Sequence, residues 1–219
     1  MSERLPPPDP VRIGATQPRR HEVLTLRTGT RLVRLHYLAG AHPSGWNEFR
    51  TWGPTLARFD HHPGPEGDHP DFGIFYASRG EEAINTVLAE CFSHGSETVG
   101  PIERSRDQPT LSAFTIVGPV RVLRLESSWT TRAGGNQAIC SGARAQARAW
   151  AREIHAAFPR VDGLLYPSSI WGPGASLALW ERAARAMPSR PDVTRLLDDP
   201  SMGVPLAAAA EELRTLLLP

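Results

Sequence analysis

Five residues spread along the chain have side chains of the types that act on a dinucleotide. They are two arginines, a tyrosine, a glutamate and a serine: Arg34, Arg58, Tyr76, Glu90 and Ser168. Two guanidinium groups can clamp a pyrophosphate, a tyrosine ring can stack on a nicotinamide, and a carboxylate can stabilise an oxocarbenium-like centre. These types suit the cleavage of a glycosidic bond. Their spacing leaves other roles open, because Arg34 could form a surface ion pair while Tyr76 and Ser168 could belong to the core and to a turn.

A loop rich in glycine and proline holds a cluster of possible metal ligands. They are the following residues: His61, His62, Glu66, Asp68, His69 and Asp71. Their spacing does not repeat in the way that metal-binding motifs do. The sequence therefore favours a solvated loop, and we expect no metal.

Two kinds of covalent nucleophile are also present. Ser168 or Ser169 could act in a serine hydrolase, but the sequence has no Gly-x-Ser-x-Gly turn to carry either of them. Cys91 lies on the apolar stripe of a predicted helix, which is typical of a core cysteine rather than a nucleophile. Both patterns favour structural roles.

All 24 Lys and Arg residues of this 219-residue chain are arginines. The missing lysine excludes a Schiff base and a phosphate-binding loop ending in Gly-Lys-Ser/Thr. Any anion must then be bound by arginine, a helix N-terminus or a hydroxyl. The formal net charge of +1, with arginines scattered along the chain, argues against a nucleic-acid-binding surface.

The remaining composition predicts a soluble cytoplasmic protein. Hydrophobic residues make up 40% and charged residues 21% of the chain. The longest apolar stretches, such as 204–210, are far shorter than the roughly 20 residues of a membrane helix. Cys91 and Cys140 have no CxxC spacing, which favours a reducing compartment.

The chain divides into a proline-rich beginning and a longer ordered part. The proline-rich composition of residues 1–20 predicts a flexible arm, and residues 21–219 are predicted to form one domain. Alternating hydrophobicity predicts a strand over 30–36, and residues 72–77 are a second strand candidate. Between them lies a long loop, 39–71, of a length that is usually functional or mobile.

A helix is predicted directly after the second of these strands. Ser78 and Glu81 form a capping box, and apolar residues then recur at helical spacing as far as Cys91. At roughly 100° per residue, Glu90 falls at the border of the buried face. Its carboxylate could therefore reach into a cleft.

The second half of the chain also mixes strands and helices. The sequence predicts strands over 111–117, 120–125 and 163–166, and helices over 142–158, 176–187 and 204–218. A turn at Gly118 and Pro119 joins the first two of these strands. Because the elements lack a regular βαβ rhythm, the predicted fold class is α+β, with a mixed, mostly antiparallel sheet and flanking helices.

Several short segments, taken in order, resemble the RES domain, a fold related to ADP-ribosyltransferases. The segments are RLVRLH, ARFD, GIFYAS with the downstream LAE, and DGLLYPSSIWGPG with the following LALWE. They match the Arg, Arg-Phe, Tyr, Glu and Tyr-x-Ser elements of that family. The resemblance extends over about residues 26–186, and its strength lies in five elements in the same order.

The resemblance implies a role for each candidate residue. Arg34 would contact the phosphates or ribose of NAD, and Arg58 would share the phosphate. Tyr76 would pack on the nicotinamide ring. Glu90 would bind the nicotinamide ribose and stabilise the developing cation, and Ser168 would hydrogen-bond the same ribose or the carboxamide.

The resemblance also implies a biological role. RES proteins are the toxins of bacterial toxin–antitoxin pairs and consume NAD as a substrate without a metal, as glycohydrolases or phosphorylases. One alternative is transfer of ADP-ribose to a cellular protein, and another is an inactive binding protein. The implied partner is a helical antitoxin, with a DNA-binding helix-turn-helix, that covers the active cleft.

Three departures from the family pattern leave alternatives. Ala57 replaces the usual glycine before Arg-Phe, which bears on the path of that loop. Tyr76 and Glu90 are 14 residues apart, slightly more than expected, so Glu81 and Glu82 are alternatives for the carboxylate; the capping position favours a structural role for Glu81. Likewise, Ser169 is the alternative to Ser168.

Overall fold

A computed structural model of the protein describes residues 4–93 and 98–219. Its α-helices are α1 (Pro10–Ala15), α2 (Ala83–Phe92), α3 (Ser128–Arg132), α4 (Ala138–Ser141), α5 (Arg144–Ala157) and α6 (Gly203–Glu212). Its strands are β1 (Val23–Leu26), β2 (Arg31–Tyr37), β3 (Trp52–Gly53), β4 (Gly67–Asp68), β5 (Ile74–Arg79), β6 (Ile102–Glu103), β7 (Pro109–Thr115), β8 (Val120–Arg124), β9 (Gly163–Pro167), β10 (Ala175–Trp180), β11 (Val193–Leu196) and β12 (Leu217–Leu218). Short 3₁₀ helices cover Arg20–Glu22, Glu181–Ala186 and Pro200–Met202.

Eight strands form the central sheet, in the order β1-β8-β9-β10-β5-β2-β7-β11. The β8–β9 pair is parallel, and every other neighbouring pair in this sheet is antiparallel. Helix α2 packs on β2, β5 and β10 of this sheet, and α1 packs on α5. The predicted single α+β domain with a mostly antiparallel sheet is confirmed. Strands β7 and β8 follow each other in sequence but are not neighbours, because β2 and β11 flank β7.

Strand β10 occupies the region where the sequence pattern predicts a helix, so that prediction is wrong. Four consecutive apolar residues, Leu177 to Trp180, are fully buried between β9 and β5. A continuous apolar run of this length suits a central strand that is covered on both faces. The helical part that follows is the 3₁₀ segment Glu181–Ala186.

The start of α2 also differs from the prediction. Ser78 lies inside β5, and its hydroxyl donates to the Ala175 carbonyl on β10 at 2.6 Å instead of capping a helix. The helix begins at Ala83, with Glu82 in the N-cap position and no side-chain cap. Because Ser78 is used in the sheet, the capping box does not form.

The segment expected to be a flexible arm is folded over residues 4–20; residues 1–3 lie outside the described part. Its helix α1 packs on α5, and Leu5 and Ile13 are buried in the core. The carbonyls of Pro6 and Thr16 accept hydrogen bonds at 2.8 Å from two buried tryptophan indoles. A proline-rich composition predicts poor regular structure, but it does not reveal the apolar groove that binds the segment.

Candidate active site

A cleft of about 960 Å³ opens beside the centre of the sheet. Four of the five predicted site residues line it: Arg34, Arg58, Tyr76 and Glu90. Ser168 is buried, and it contacts one of these residues. The fold therefore brings the five residues to one place from five separate segments.

The cleft lies where two neighbouring strands diverge. Strands β2 and β5 pair over only two positions, which end at Val33 and Ser78. Beyond that point β2 continues along β7, while β5 continues along β10. Arg34 on β2 and Tyr76 on β5 follow directly on the two sides of the opening. Where the two strands part, their backbone groups no longer pair with each other, and residues of both strands line the cleft.

Glu90 and Ser168 form a hydrogen-bonded pair. The Ser168 hydroxyl donates to Glu90 Oε1 at 2.5 Å, and it accepts from the backbone N–H groups of Trp171 at 2.9 Å and Ile170 at 3.2 Å. These two amides fix the direction in which the hydroxyl donates. Because the two amides fix the Ser168 hydroxyl, it can orient the Glu90 carboxylate. Glu90 lines the cleft near the end of α2.

The loop that carries Ser168 approaches α2 closely. A Cβ on Gly174 would lie 2.2 Å from the Thr86 hydroxyl, so only glycine fits there without movement of the helix or the loop. The contact places the turn after β9 against the helix that carries Glu90. This packing explains how residues 78 positions apart come within hydrogen-bonding distance.

The alternative residues lie elsewhere. Glu81 is exposed, and Glu82 accepts a hydrogen bond from the Trp171 indole at 2.8 Å. Neither lines the cleft. Ser169 is also exposed. Among the alternatives considered from the sequence, the geometry favours Glu90 and Ser168.

Arg34 is held rigidly in the wall of the cleft. It is only 7% exposed, donates to the Glu48 carbonyl at 2.7 Å, and lies 4.2 Å from the Phe75 ring centroid. Burial lowers the pKa of its guanidinium to about 10, and the group is still protonated at neutral pH. Arg34 is thus a fixed cation in a partly apolar setting.

Tyr76 and Arg58 are connected through the backbone. The Tyr76 hydroxyl donates to the Arg58 carbonyl at 2.8 Å, and the Arg58 side chain donates to the Gly142 carbonyl at 2.8 Å. Burial raises the pKa of Tyr76 far above its usual value, so the hydroxyl remains a donor. The ring of Tyr76 forms part of the cleft wall, while its hydroxyl holds the loop that carries Arg58.

A buried carboxylate organises that loop. Asp60 accepts hydrogen bonds from the Thr55 amide at 2.8 Å, from Arg50 at 2.9 Å and from His62 Nδ1 at 2.6 Å. Although burial opposes ionisation, the hydrogen bonds from His62 and Thr55 hold the pKa of Asp60 well below its usual range. The next residue back, Phe59, has a φ of 65° and packs on the Tyr166 ring at 4.6 Å. Contacts on both sides compensate for this uncommon backbone conformation.

Among the described residues, the possible metal ligands of the histidine-rich loop do not come together, but the loop is not solvated throughout as predicted, because His61 and His62 are buried. Instead, His61 lies 3.3 Å from Glu181, which also contacts His155 at 2.8 Å. These three groups are close enough to share an ion. However, Arg182 lies 2.9 Å from His155 Nε2, and its guanidinium disfavours a second cation there. The cluster is better explained as a charge network that holds the loop.

The cleft contains further polar residues that the sequence patterns do not single out. Among them are Glu48, Arg50 and Arg144, whereas Tyr166, which also lines the cleft, is the tyrosine of the Tyr-x-Ser element. Glu48, Arg50 and Arg144 belong to no motif. On the sequence alone, Arg144 cannot be told from any other polar residue of its helix. Cys91 also lines the cleft, where burial raises the pKa of its thiol to about 12. A thiol that stays protonated is a poor nucleophile.

The helices of the described residues are all too short, or too polar, to cross a membrane.

Comparison with known proteins identifies the family and finds similar solved structures. The family model described as RES domain matches residues 30–199. A chain in the crystal structure of the M. tuberculosis MbcT-MbcA toxin-antitoxin complex is similar, with a TM-score of 0.50 and 19% sequence identity. The match covers 94% of this chain and 96% of that chain. No curated protein matches the sequence. At this identity the structural likeness concerns the fold.

Proposed function

The chain belongs to the RES domain family, and on this premise we propose that it cleaves the bond between nicotinamide and ribose in NAD. The observation that carries the proposal is the Glu90–Ser168 pair at a cleft that also presents Arg34, Arg58 and Tyr76. An oriented carboxylate can stabilise the positive charge that develops on the ribose, and fixed guanidinium groups can bind the diphosphate of the substrate.

In the proposed reaction, the C1′–N bond breaks and its electron pair goes to the nicotinamide nitrogen. Positive charge develops on the ribose, where the Glu90 carboxylate stabilises it. Because this charge is largest in the transition state, the carboxylate accelerates bond cleavage rather than only binding the substrate. Water or phosphate then adds to C1′ from the open side, and the water that adds gives up its proton to the solvent.

Release of nicotinamide from NAD by the purified protein tests this proposal. Replacing Glu90 by glutamine should lower the rate about 100- to 1,000-fold, because one preorganised electrostatic group is lost. The exposed Glu81 offers a matched control, and Glu81→Gln should keep the rate. A Glu90→Gln variant that folds and turns over normally would contradict the assignment.

The products identify the acceptor. Free ADP-ribose indicates hydrolysis, and a phosphorylated ADP-ribose formed only with added phosphate indicates phosphorolysis. Radiolabel from NAD that appears on a protein band of a cell lysate would instead support ADP-ribosyl transfer. No release and no label would support the inactive binding protein.

We further propose that the protein is a cytoplasmic toxin with an antitoxin partner. The similar solved structure is a toxin–antitoxin complex, and the family resemblance implies a helical antitoxin over the cleft. Expression of the chain alone should arrest growth, and co-expression of a neighbouring antitoxin gene should restore it. Growth arrest by Glu90→Gln equal to that of the wild type would separate toxicity from NAD cleavage.

A further inference from the structure

Three of the four arginines that line the cleft form no ion pair among the described residues: Arg34, which is buried against the Glu48 carbonyl, and the more open Arg58 and Arg144. Within residues 4–93 and 98–219, neither Arg58 nor Arg144 lies within ion-pair distance of a carboxylate. By contrast, Arg50 pairs with the buried Asp60 at 2.9 Å. Guanidinium groups that line a cleft without forming an ion pair are suited to binding an anion from solution.

The positive charges of the Arg58 and Arg144 guanidinium groups repel each other. Burial lowers the pKa of Arg58, and the positive charge of Arg144 lowers it further. The Arg58 side chain also donates to the Gly142 carbonyl, just before Arg144. The pair therefore shares one wall of the cleft, where two like charges repel each other until an anion lies between them.

Helix stability does not explain Arg144. It is the first residue of α5, a helix with no acidic residue in its first turn and no side-chain cap. The positive end of a helix dipole disfavours a cation at this position. Its exposure to the cleft provides a reason for an arginine that the helix itself does not.

Arg34 occupies a different part of the cleft. Its guanidinium donates to the Glu48 carbonyl at 2.7 Å and lies over the Phe75 ring. The Arg58 guanidinium instead donates to the Gly142 carbonyl, two residues before Arg144. The cleft thus holds its cations at two places, and the Arg58–Arg144 pair is the one next to α5.

We infer that Arg58 and Arg144 together form a clamp for the diphosphate of a nucleoside diphosphate group, with Arg144 as a binding residue that no sequence motif reveals. The inference rests on the proposed function, since it places the diphosphate of NAD at this pair and the nicotinamide ribose towards Glu90. Two planar guanidinium groups can each donate two hydrogen bonds to phosphoryl oxygens.

Binding of ADP, measured by titration calorimetry, tests the clamp without any turnover. Arg144→Gln should weaken ADP binding about 10- to 100-fold, because charge-assisted hydrogen bonds are lost. Arg152→Gln is the matched control: the residue lies on the same helix but does not line the cleft. It should bind ADP like the wild type, and adenosine should bind all three proteins equally.

Three outcomes would overturn the clamp. One is equal ADP affinity in Arg144→Gln and the wild type. Another is a loss of adenosine affinity as large as the loss of ADP affinity. The third is a variant that binds inorganic phosphate more weakly but ADP normally, which would make the pair a site for free phosphate.

The ADP-binding experiment can contradict the clamp without contradicting NAD cleavage, and the nicotinamide-release experiment can contradict NAD cleavage without contradicting the clamp. Weaker ADP binding in Arg144→Gln, together with no nicotinamide release by the wild type, would support the clamp and contradict NAD cleavage. Normal ADP binding in the variant, together with Glu90-dependent cleavage by the wild type, would contradict the clamp alone. Unfolding midpoints of the variants should match the wild type, because Arg144 has no described ion-pair partner to lose.

Discussion

At the scale of single residues, the Ser168 hydroxyl is the best-defined group of the site. It accepts from two backbone amides and donates its only proton to Glu90. A hydroxyl that accepts two hydrogen bonds has a fixed direction for its donor. Ser168 is thus suited to a positioning role, in which it holds Oε1 of the Glu90 carboxylate at the cleft.

Ser168→Ala should lower the rate of NAD cleavage about 10- to 100-fold with a smaller effect on KM. The Glu90 carboxylate loses its hydrogen-bond donor, and about 1.5–3 kcal/mol is typical for a hydrogen bond to a charged group. Ser169→Ala changes the exposed neighbour and should leave kcat unchanged. Steady-state kinetics of both variants check this, and equal rates for the two would remove Ser168 from the site.

At the scale of elements, the loop 53–62 is positioned by contacts that converge from the sheet and the helices. On the buried side of the loop, Asp60 accepts hydrogen bonds from Thr55 and Arg50. Phe59 packs against the Tyr166 ring on β9. Tyr76 on β5 binds the Arg58 carbonyl. Arg58 is therefore fixed in place although its loop has little regular structure, and the loop's position depends on its buried carboxylate.

Asp60→Asn should destabilise the protein by about 3 kcal/mol, as expected when one partner of a buried ion pair is removed. The variant leaves Arg50 without its counter-charge and weakens the bonds to Thr55 and His62. Urea unfolding measures the loss. Asp71→Asn, at an exposed position in the same long loop, should stay within about 0.5 kcal/mol of the wild type. Equal losses in the two variants would contradict the organising role.

The charge network behind this loop predicts a loss of stability in mild acid. Burial lowers the pKa of His61 from 6.5 to about 4 in the folded state. As the pH falls below 6.5, the unfolded chain binds a proton that the folded protein does not bind until about pH 4. His61 therefore reduces the free energy of unfolding by roughly 2–3 kcal/mol between these values.

Unfolding of the wild type and of His61→Gln by urea, at several pH values from 7 to 4.5, checks this prediction. The variant should lose less stability than the wild type over that range, whatever its stability at pH 7. Parallel curves for the two proteins would show that the acid sensitivity comes from other groups.

At the scale of the whole molecule, the N-terminal segment is part of the domain. Its apolar side chains are buried with α3 and α5, and its carbonyls accept from the indoles of Trp129 and Trp150. Because α5 carries Arg144 and follows the Gly142 carbonyl that binds Arg58, this packing also supports one wall of the cleft.

Ile13→Ala should destabilise the protein by about 2–4 kcal/mol, because it leaves a cavity under α1. Val11, two residues earlier, is 82% exposed, and Val11→Ala should have almost no effect. Thermal or urea unfolding measures both variants. Equal stabilities would mean that the segment does not contribute to the core.

Local sequence patterns correctly predicted the elements whose type, helix or strand, is determined by the hydrophobic periodicity of their own residues. The alternation in β2 and the amphipathic face of α5 identify both correctly. Strand β10 was missed because its apolar run fits a buried strand or a buried helix, and only its two neighbours decide between them. The predicted capping box failed for the same reason, since Ser78 is drawn into the sheet.

By itself, the sequence determined the inventory of chemical groups: arginine as the source of fixed cations, and the five candidate site residues that the family resemblance places in order. Only the tertiary structure decided which of these groups meet. The divergence of β2 and β5 opens the cleft, and the close approach at Gly174 joins Glu90 to Ser168. The Arg58–Arg144 pair, 86 positions apart, could not be read from spacing. Such contacts depend on how segments far apart in the sequence pack together, and local sequence patterns do not contain that information.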